Sequence, residues 1–147
     1  MARFPTGVTV VTAVGASGPA GATANAVVSL SLEPPMMLAA LDLGSRTLVA
    51  VEHARRFGIN VLASDQAALA RRFSTKDPHP EKWDGIEWSE RSGAPMIGGS
   101  AIWLACDLDD VHEGGDHVIV TGTVTEVRAG EGEPLLFFGG DYRPLDA

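Results

Sequence analysis

The stretch Gly44-Ser45-Arg46-Thr47 places two hydroxyl side chains and an arginine at the point where a helix is expected to begin. The first N–H groups of a helix have no partner within it, and the positive end of the helix dipole lies there, so an anion is stabilised. Arg46 can also form paired hydrogen bonds with phosphate oxygens. This pattern indicates phosphate binding; the alternative is an ordinary serine cap followed by a solvated arginine.

A second unusual stretch runs from Gly21 to Pro35, "GATANAVVSLSLEPP", and is strand-like but not uniformly apolar. Alanine, asparagine, threonine and serine alternate with its valines and leucines, and two prolines end it. Prolines cannot donate to a sheet ladder, so they are expected to separate two strands. The small polar residues indicate a ligand contact, or else a strand at a subunit contact whose hydroxyls bond to neighbouring backbone.

His117 follows two glycines and an aspartate in "GGDH" and opens a strand with alternating side chains. By strand parity it lies on the side of Ile119 and Thr121, opposite the apolar face that contains Val118 and Val120. Its side chain is therefore available for chemistry. The alternative is a solvated histidine beside a tight hairpin.

Metal and dinucleotide-fold motifs are not expected. The glycines between residues 15 and 21 do not form G-x-G-x-x-G, and no P-loop is present. No metal site is predicted, because the possible ligands nearest in sequence lack a standard zinc spacing. Those ligands are Cys106, His112, Asp116 and His117.

The elements that position these residues are mostly strands. Helices are predicted over Ser45 to Arg56 and Ser64 to Phe73, with the strand "FGINVLA" between them. Loops are predicted over Val14 to Ala22 and Ser74 to Trp88, and the last third alternates with a period of two, as strands do. Many short strands without a repeating β-α-β pattern favour a small antiparallel β-barrel covered by two helices.

Composition restricts the classes of partner. The chain has 147 residues, which suits a single domain over residues 1–147, and a mean hydropathy of +0.10. No apolar run approaches the roughly 20 residues of a membrane helix. A net charge of −8 argues against nucleic acid as a partner. The one cysteine, Cys106, fits a cytoplasmic protein.

Several motifs occur in an order that resembles the flavin reductase-like family. They are "FPTGVTVVTA", "TANAVVSLSLEPP", "SRT", "FGINVLA", "ARRFS", "GGDHVIVTG" and "PLLFFGGDYRPL". The resemblance covers nearly the whole chain and implies a split antiparallel β-barrel of the FMN-binding type. Family chains usually carry a further segment before the "FPTG" strand, so the resemblance implies a truncated N-terminal segment here.

The resemblance also implies roles for particular residues. Small side chains after the first hairpin would let the backbone reach the polar edge of a flavin ring; the residues there are Thr23, Ala24, Asn25, Ala26 and Ser29. The flavin phosphate is expected at Ser45, Arg46 and Thr47. Further flavin or dinucleotide contacts are expected from Asn60, Phe73, Ser74, Lys76, Tyr142 and Arg143. His117 is the expected catalytic residue, placing the nicotinamide over the flavin.

The function that follows from the resemblance is an NAD(P)H:flavin oxidoreductase that uses FMN or FAD and NADH or NADPH. The family implies a homodimer that passes reduced flavin to a partner monooxygenase. The competing class is a non-catalytic FMN-binding or electron-carrier protein on the same barrel. A pyridoxamine-phosphate-oxidase-like enzyme is disfavoured by the "GGDH" and "SLSLEPP" pieces.

Overall fold

The structure, a computed structural model, describes residues 1–76 and 79–145. In chain order its strands are β1 (Thr6–Gly7), β2 (Thr9–Gly15), β3 (Gly18–Ala24), β4 (Val27–Leu32), β5 (Pro35–Asp42), β6 (Arg56–Val61), β7 (Trp88–Arg91), β8 (Ala94–Ile97), β9 (Ile102–Gly114), β10 (His117–Ala129), β11 (Leu135–Phe138) and β12 (Asp141–Pro144). Its helices are α1 (Arg46–Ala54), α2 (Ala67–Phe73) and α3 (His79–Trp83). The predicted single domain extends to residues 146 and 147, which lie outside this description.

Seven strands form one sheet in the order β3-β2-β6-β9-β10-β5-β4, and every neighbouring pair is antiparallel. The sheet is curled, because Ala24 of β3 and Ala39 of β5 are buried in the same apolar cluster as Phe57 of the central β6. No ladder joins the two ends of the sheet within the described residues. The predicted mainly β, split antiparallel barrel is confirmed.

The other face of the sheet carries a second core. Side chains alternate along a strand, so β2 directs Val11 to the first cluster and Val10 to the second. The second cluster also contains Phe73 of α2 and Trp83 of α3, whose ring centroids are 5.0 Å apart in an edge-to-face arrangement. Both faces of the sheet are therefore covered, with α1 on one side and α2 and α3 on the other.

The first hairpin is tighter than its sequence indicates. The predicted loop from Val14 to Ala22 is wrong, since β2 and β3 pair as far as Gly15 and Gly18 and leave a two-residue turn. The strand-like stretch that begins at Gly21 is divided at Asn25, where the chain crosses from β3 to β4. Those strands lie at opposite ends of the sheet, so Asn25 and Ala26 bridge the split in the barrel.

The helices begin and end close to the predicted positions, with one addition. Ser45 caps α1 by accepting a hydrogen bond from the Thr47 N–H, and Arg55 ends the helix in the left-handed conformation at φ 58°. α2 begins at Ala67 rather than Ser64, because residues 63–66 form a separate turn. The predicted loop after residue 73 contains α3, while residues 77 and 78 lie outside the described part.

The long hairpin β9–β10 confirms the predicted alternation in part. The alternation predicts Ile102, Leu104, Cys106 and Leu108 on one side of β9. Cys106 and Leu108 are buried there, but Ile102 is 40% exposed, and Trp103 is buried on the opposite side. The turn between the two strands has a positive φ at Gly115. Within the described residues, no helix has the length and apolarity needed to cross a membrane.

Candidate active site

A cavity of about 630 Å³ opens where β3, β5, α1 and the end of α2 meet. Its lining consists of residues 20–26, 40–42, 44–47 and 73–76, together with Lys82 and His117. The cavity therefore lies over the split in the barrel, where the chain passes from β3 to β4. A volume of this size is typical of a small-molecule or cofactor site.

One wall of the cavity is backbone with small side chains. Ala22, Ala24 and Ala26 lie along the end of β3 and the crossing that follows it. Thr23 is also at the wall, but its hydroxyl donates a hydrogen bond of 2.6 Å to the Ala70 carbonyl and so holds α2 against β3. Because alanines leave the backbone accessible, a flat ring can approach this wall closely.

The opposite end of the cavity is the start of α1. The Asp42 carboxylate accepts a hydrogen bond of 2.8 Å from the Gly44 N–H, and the Asp42 carbonyl accepts one of 2.9 Å from the Ser45 N–H. Ser45 in turn accepts the Thr47 N–H at 3.2 Å. The tight turn fixes the first turn of the helix, whose other amides have no partner within it, at the cavity wall.

Positive charge is concentrated around this end of the cavity. Arg46, Lys76 and Lys82 line it, whereas Asp42 is the one acidic residue of the described lining. Arg46 forms no ion pair with the described residues. In a chain of net charge −8, this local cluster and the helix N-terminus together make an anion site.

His117 lies at the cavity margin, at the first position of β10, where its backbone pairs with Asp42. The Asp116 carboxylate contacts its Nδ1 at 2.7 Å, which favours the tautomer with hydrogen on Nδ1 and leaves Nε2 for a ligand. The hydrogen bond from His117, and then its charge, lower the pKa of Asp116. The pair is accessible, since 44% of the imidazole side chain is exposed.

Eleven of the predicted site residues line this cavity: Thr23, Ala24, Asn25, Ala26, Ser45, Arg46, Thr47, Phe73, Ser74, Lys76 and His117. Four others do not: Ser29, Asn60, Tyr142 and Arg143. Ser29 lies on the exposed edge strand β4, beyond the point where the chain leaves the cavity.

Asn60 is fully buried on β6 and forms hydrogen bonds within the protein. Its Nδ2 donates to the carbonyls of Val10 at 3.2 Å and Pro95 at 3.4 Å, and its Oδ1 accepts from the Ile97 N–H at 2.8 Å. The amide therefore fastens the hairpin β7–β8 to the sheet. A flavin contact from this side chain is not supported, because its oxygen and nitrogen are both engaged in the interior.

Tyr142 and Arg143 belong to the small sheet β1-β11-β12. Tyr142 packs edge-to-face on Phe137 at 5.4 Å, with the Arg71 guanidinium 5.2 Å from its ring centre. The Arg143 guanidinium lies 5.7 Å from the Phe138 ring centre. These contacts place both residues in a C-terminal strand that completes the fold.

Sequence reasoning missed Asp42 and Lys82 among the lining residues. The spacing of Asp42, Gly44 and Ser45 is a signal for the side-chain turn observed here, and it could have been found. Lys82 could not, because it belongs to α3 in a segment predicted as loop. Cys106 is buried away from the cavity, and burial raises the pKa of its thiol to about 12, so it is unreactive.

The split barrel has a cavity of about 630 Å³ at the N-terminus of a helix. This arrangement is typical of nucleotide-binding proteins. The chain belongs to the flavin reductase-like family, since it matches the family described as "Flavin reductase like domain" over residues 1–146. The resemblance inferred from the motifs is confirmed.

Individual relatives agree with this assignment. The chain is 39% identical over 150 residues to the reductase subunit HsaB of a flavin-dependent monooxygenase of Mycobacterium tuberculosis, covering 99% of this chain and 79% of that protein. It is 41% identical over 150 residues to an NADH-dependent FAD reductase of Streptomyces globisporus, covering 95% and 79%. The solved NADH:FAD oxidoreductase of Streptomyces globisporus, in complex with NAD and FAD fragments, is similar with a TM-score of 0.90 and 36% identity, covering 99% of this chain and 88% of that one.

Proposed function

We propose that this protein is an NAD(P)H-dependent flavin reductase that reduces FMN or FAD. The observation that carries the proposal is the single cavity of about 630 Å³ that joins an alanine-lined backbone wall, a capped helix N-terminus and an accessible histidine. The family and its members' names, which include reductases of both FAD and FMN, support the same reaction.

The cavity residues fit a flavin nucleotide. The start of α1 can bind its phosphate, because Ser45 and Thr47 supply hydroxyl donors and Arg46 supplies a charge-assisted hydrogen bond. Its ring can pack on the backbone wall of Ala24 to Ala26, where backbone N–H groups can donate to the polar edge of the ring. When bound, the flavin accepts a hydride from the nicotinamide and carries the two electrons onward.

His117 is proposed to orient the nicotinamide. The Asp116 contact at 2.7 Å favours the tautomer with hydrogen on Nδ1, so Nε2 can accept a hydrogen bond from the carboxamide NH₂ of the nicotinamide. Hydride transfer needs orientation and exclusion of water more than a protein acid. The residue's position at the mouth of the cavity suits a second substrate that arrives over the flavin.

The partner of the reduced flavin is proposed to be a flavin-dependent monooxygenase. Similar chains are named as reductase components of such systems, among them a 4-nitrophenol monooxygenase reductase of Rhodococcus opacus. We further propose a cytoplasmic location, supported by one buried reduced thiol and a nicotinamide-dependent reaction.

A homodimer is proposed from the edge of the sheet. The edge strand β4 exposes three alternate apolar side chains: Val28 at 53%, Leu30 at 47% and Leu32 at 88%. Exposed apolar edge strands pair with other chains or are covered by them. Since β4 continues directly from Asn25 and Ala26, a second copy on β4 would border the cavity.

The competing function is a flavin carrier without a nicotinamide reaction. Purified protein with excess FMN or FAD is followed at the nicotinamide absorbance band after NADH or NADPH is added. Oxidation well above a blank of flavin alone is expected. Flavin binding without such oxidation would favour the carrier, and the absence of any flavin binding would reject both functions.

A further inference from the structure

Asp42 is an acidic side chain in a cavity whose other charged residues are basic. Among the described residues of the lining it is the one carboxylate, and it lies close to the phosphate site proposed above. The cations of the lining are Arg46, Lys76 and Lys82. A carboxylate repels a phosphate, so Asp42 opposes the attraction that these cations create. The groups proposed to hold the flavin do not include it.

Hydrogen bonds fix the Asp42 carboxylate at the start of α1. Its Oδ1 accepts the Gly44 N–H at 2.8 Å, and the Asp42 carbonyl accepts the Ser45 N–H at 2.9 Å. A Cβ atom on Gly44 would lie 3.3 Å from Oδ1, so the carboxylate packs closely against this turn. The turn therefore holds a negative charge beside Ser45, the residue that caps the helix.

No cation neutralises this charge. Asp42 forms no ion pair with the residues that the structure describes, and its side chain is exposed. Because water and salt screen an exposed charge, its effect on a neighbouring anion is a few-fold change in affinity rather than an exclusion. The alternative is a purely structural role, in which an acidic residue stabilises the positive end of the α1 dipole.

We infer that Asp42 limits the affinity of the cavity for the flavin phosphate and so speeds the release of the flavin. The inference rests on the proposed function and deepens it, because a reductase that supplies reduced flavin to another enzyme has to release it. The terminal phosphate of FMN carries about two negative charges at neutral pH, and the carboxylate repels them. Asp42 also occupies the Gly44 N–H, an amide beside the helix start that would otherwise be available to the phosphate.

The test compares the parent protein with Asp42→Asn by fluorescence titration with FMN and with riboflavin, which has no phosphate. Asparagine keeps an Oδ1 acceptor for the Gly44 N–H and removes the charge. The dissociation constant for FMN should fall by about three- to tenfold, and that for riboflavin should change by less than about twofold. Most of the gain should be a slower dissociation of FMN in stopped flow, and added salt should reduce the difference from the parent.

A second variant and a matched control accompany this experiment. Asp42→Ser also keeps a hydrogen-bond acceptor without the charge, so it should change FMN affinity in the same direction. Asp110→Asn is the control, since Asp110 is exposed on β9 and does not line the cavity. It alters the net charge by the same amount and should leave the dissociation constant for FMN within about twofold of the parent value.

The outcomes distinguish repulsion of the phosphate from a structural role of Asp42. Tighter FMN binding in Asp42→Asn, with riboflavin binding and the control near the parent values, supports the inference. Unchanged or weaker FMN binding, with or without a lower urea midpoint, overturns it. An equal gain for FMN and riboflavin, or an equal gain in Asp110→Asn, also overturns it, because the effect is then not one of this charge on the phosphate. If the parent protein binds neither FMN nor FAD, the proposed function itself has failed.

Discussion

Arg46 tests the anion site at the level of a single side chain. Its guanidinium lines the cavity beside the α1 N-terminus, so Arg46→Ala removes one charge-assisted phosphate contact and leaves the helix cap intact. The loss should cost about 1.5–3 kcal/mol of binding free energy, which weakens FMN binding by roughly ten- to a hundredfold. Fluorescence titration measures it, with the exposed Arg128→Ala as control. An unchanged affinity would place the phosphate elsewhere.

His117 tests the nicotinamide site. We expect His117→Ala to lower the rate of flavin reduction by NADH, or raise the KM for NADH, on the order of 10- to 100-fold, because orientation of the reacting ring is lost. Flavin affinity should stay near that of the parent. Stopped-flow reduction of bound flavin makes the measurement.

His112→Ala is the matched control for that experiment, since His112 is exposed on β9 and does not line the cavity. Asp116→Asn should give an intermediate effect, because it weakens the restraint on the imidazole without removing it. If His117→Ala reduces flavin with NADH at the rate of the parent, His117 does not orient the nicotinamide.

Titration of Cys106 makes the free energy of unfolding depend on pH. Burial first, and then the charges of Asp107 and Asp109, raise the pKa of its thiol from 9.0 to about 12. Below pH 9 the thiol is protonated in both states; between pH 9 and 12 only the unfolded chain releases the proton. The contribution of this residue to the free energy of unfolding is therefore complete below pH 9 and falls as the pH rises toward 12.

The measurement is the urea midpoint at about pH 8 and about pH 10 for the parent and for Cys106→Ala. The parent should lose more stability between the two pH values than the variant does, because the variant has no thiol to titrate. Equal losses in both proteins would contradict the raised pKa.

At the scale of elements, a substitution of Asn60 distinguishes a structural role of this side chain from a role in cofactor binding. Asn60→Ala leaves the buried Ile97 N–H without its acceptor and the Pro95 carbonyl without one donor. The free energy of unfolding should fall by about 2–3 kcal/mol. Urea unfolding and FMN titration are run on the same samples. Full stability with lost FMN affinity would reverse this assignment.

The same elements show which parts of the structure are readable from sequence. Ser45 predicts the start of helix α1 correctly, because a helix cap is a local signal. The alternation of Val118 and Val120 also predicted a strand with one face in the core. In each case the residues that decide the structure are close in the chain.

The hairpin β7–β8 and helix α3 were missed because their stabilising contacts are distant in sequence. Asn60 and the hairpin are 37 residues apart at the Ile97 N–H contact, and Gly58 allows the hairpin's close approach. A Cβ on Gly58 would lie 3.0 Å from the Pro95 carbonyl oxygen. The break at Asn25 was also missed, since neither glycine nor proline marks it.

For the whole molecule, the distribution of charge favours local capture of the cofactor. The chain carries a net charge of −8, yet Arg46, Lys76 and Lys82 converge on one cavity. The net negative charge of the chain therefore repels a phosphate, whereas the cluster at the cavity attracts it. Interactions beyond about 10 Å are screened at moderate salt, so the local cluster decides binding.

The quaternary prediction concerns the edge strand β4. If a second copy covers Val28, Leu30 and Leu32, the parent should sediment at twice the 15.4 kDa mass of the chain. The double variant Val28→Asp/Leu30→Asp should sediment as a monomer, because two charges on an apolar interface oppose its burial. Its flavin affinity should also fall, since β4 continues from cavity residues Asn25 and Ala26.

The control is a double variant of the same chemistry, Val127→Asp/Leu145→Asp, at sites that are 56% and 51% exposed and away from β4. It should keep the parent's sedimentation and flavin affinity, which separates loss of the interface from a general effect of added charge. The measurement is sedimentation velocity at the concentration used for the activity assay. If the parent protein is a stable monomer at that concentration and reduces flavin at its full rate, the dimer prediction is wrong. The cavity of a single chain would then suffice for flavin reduction.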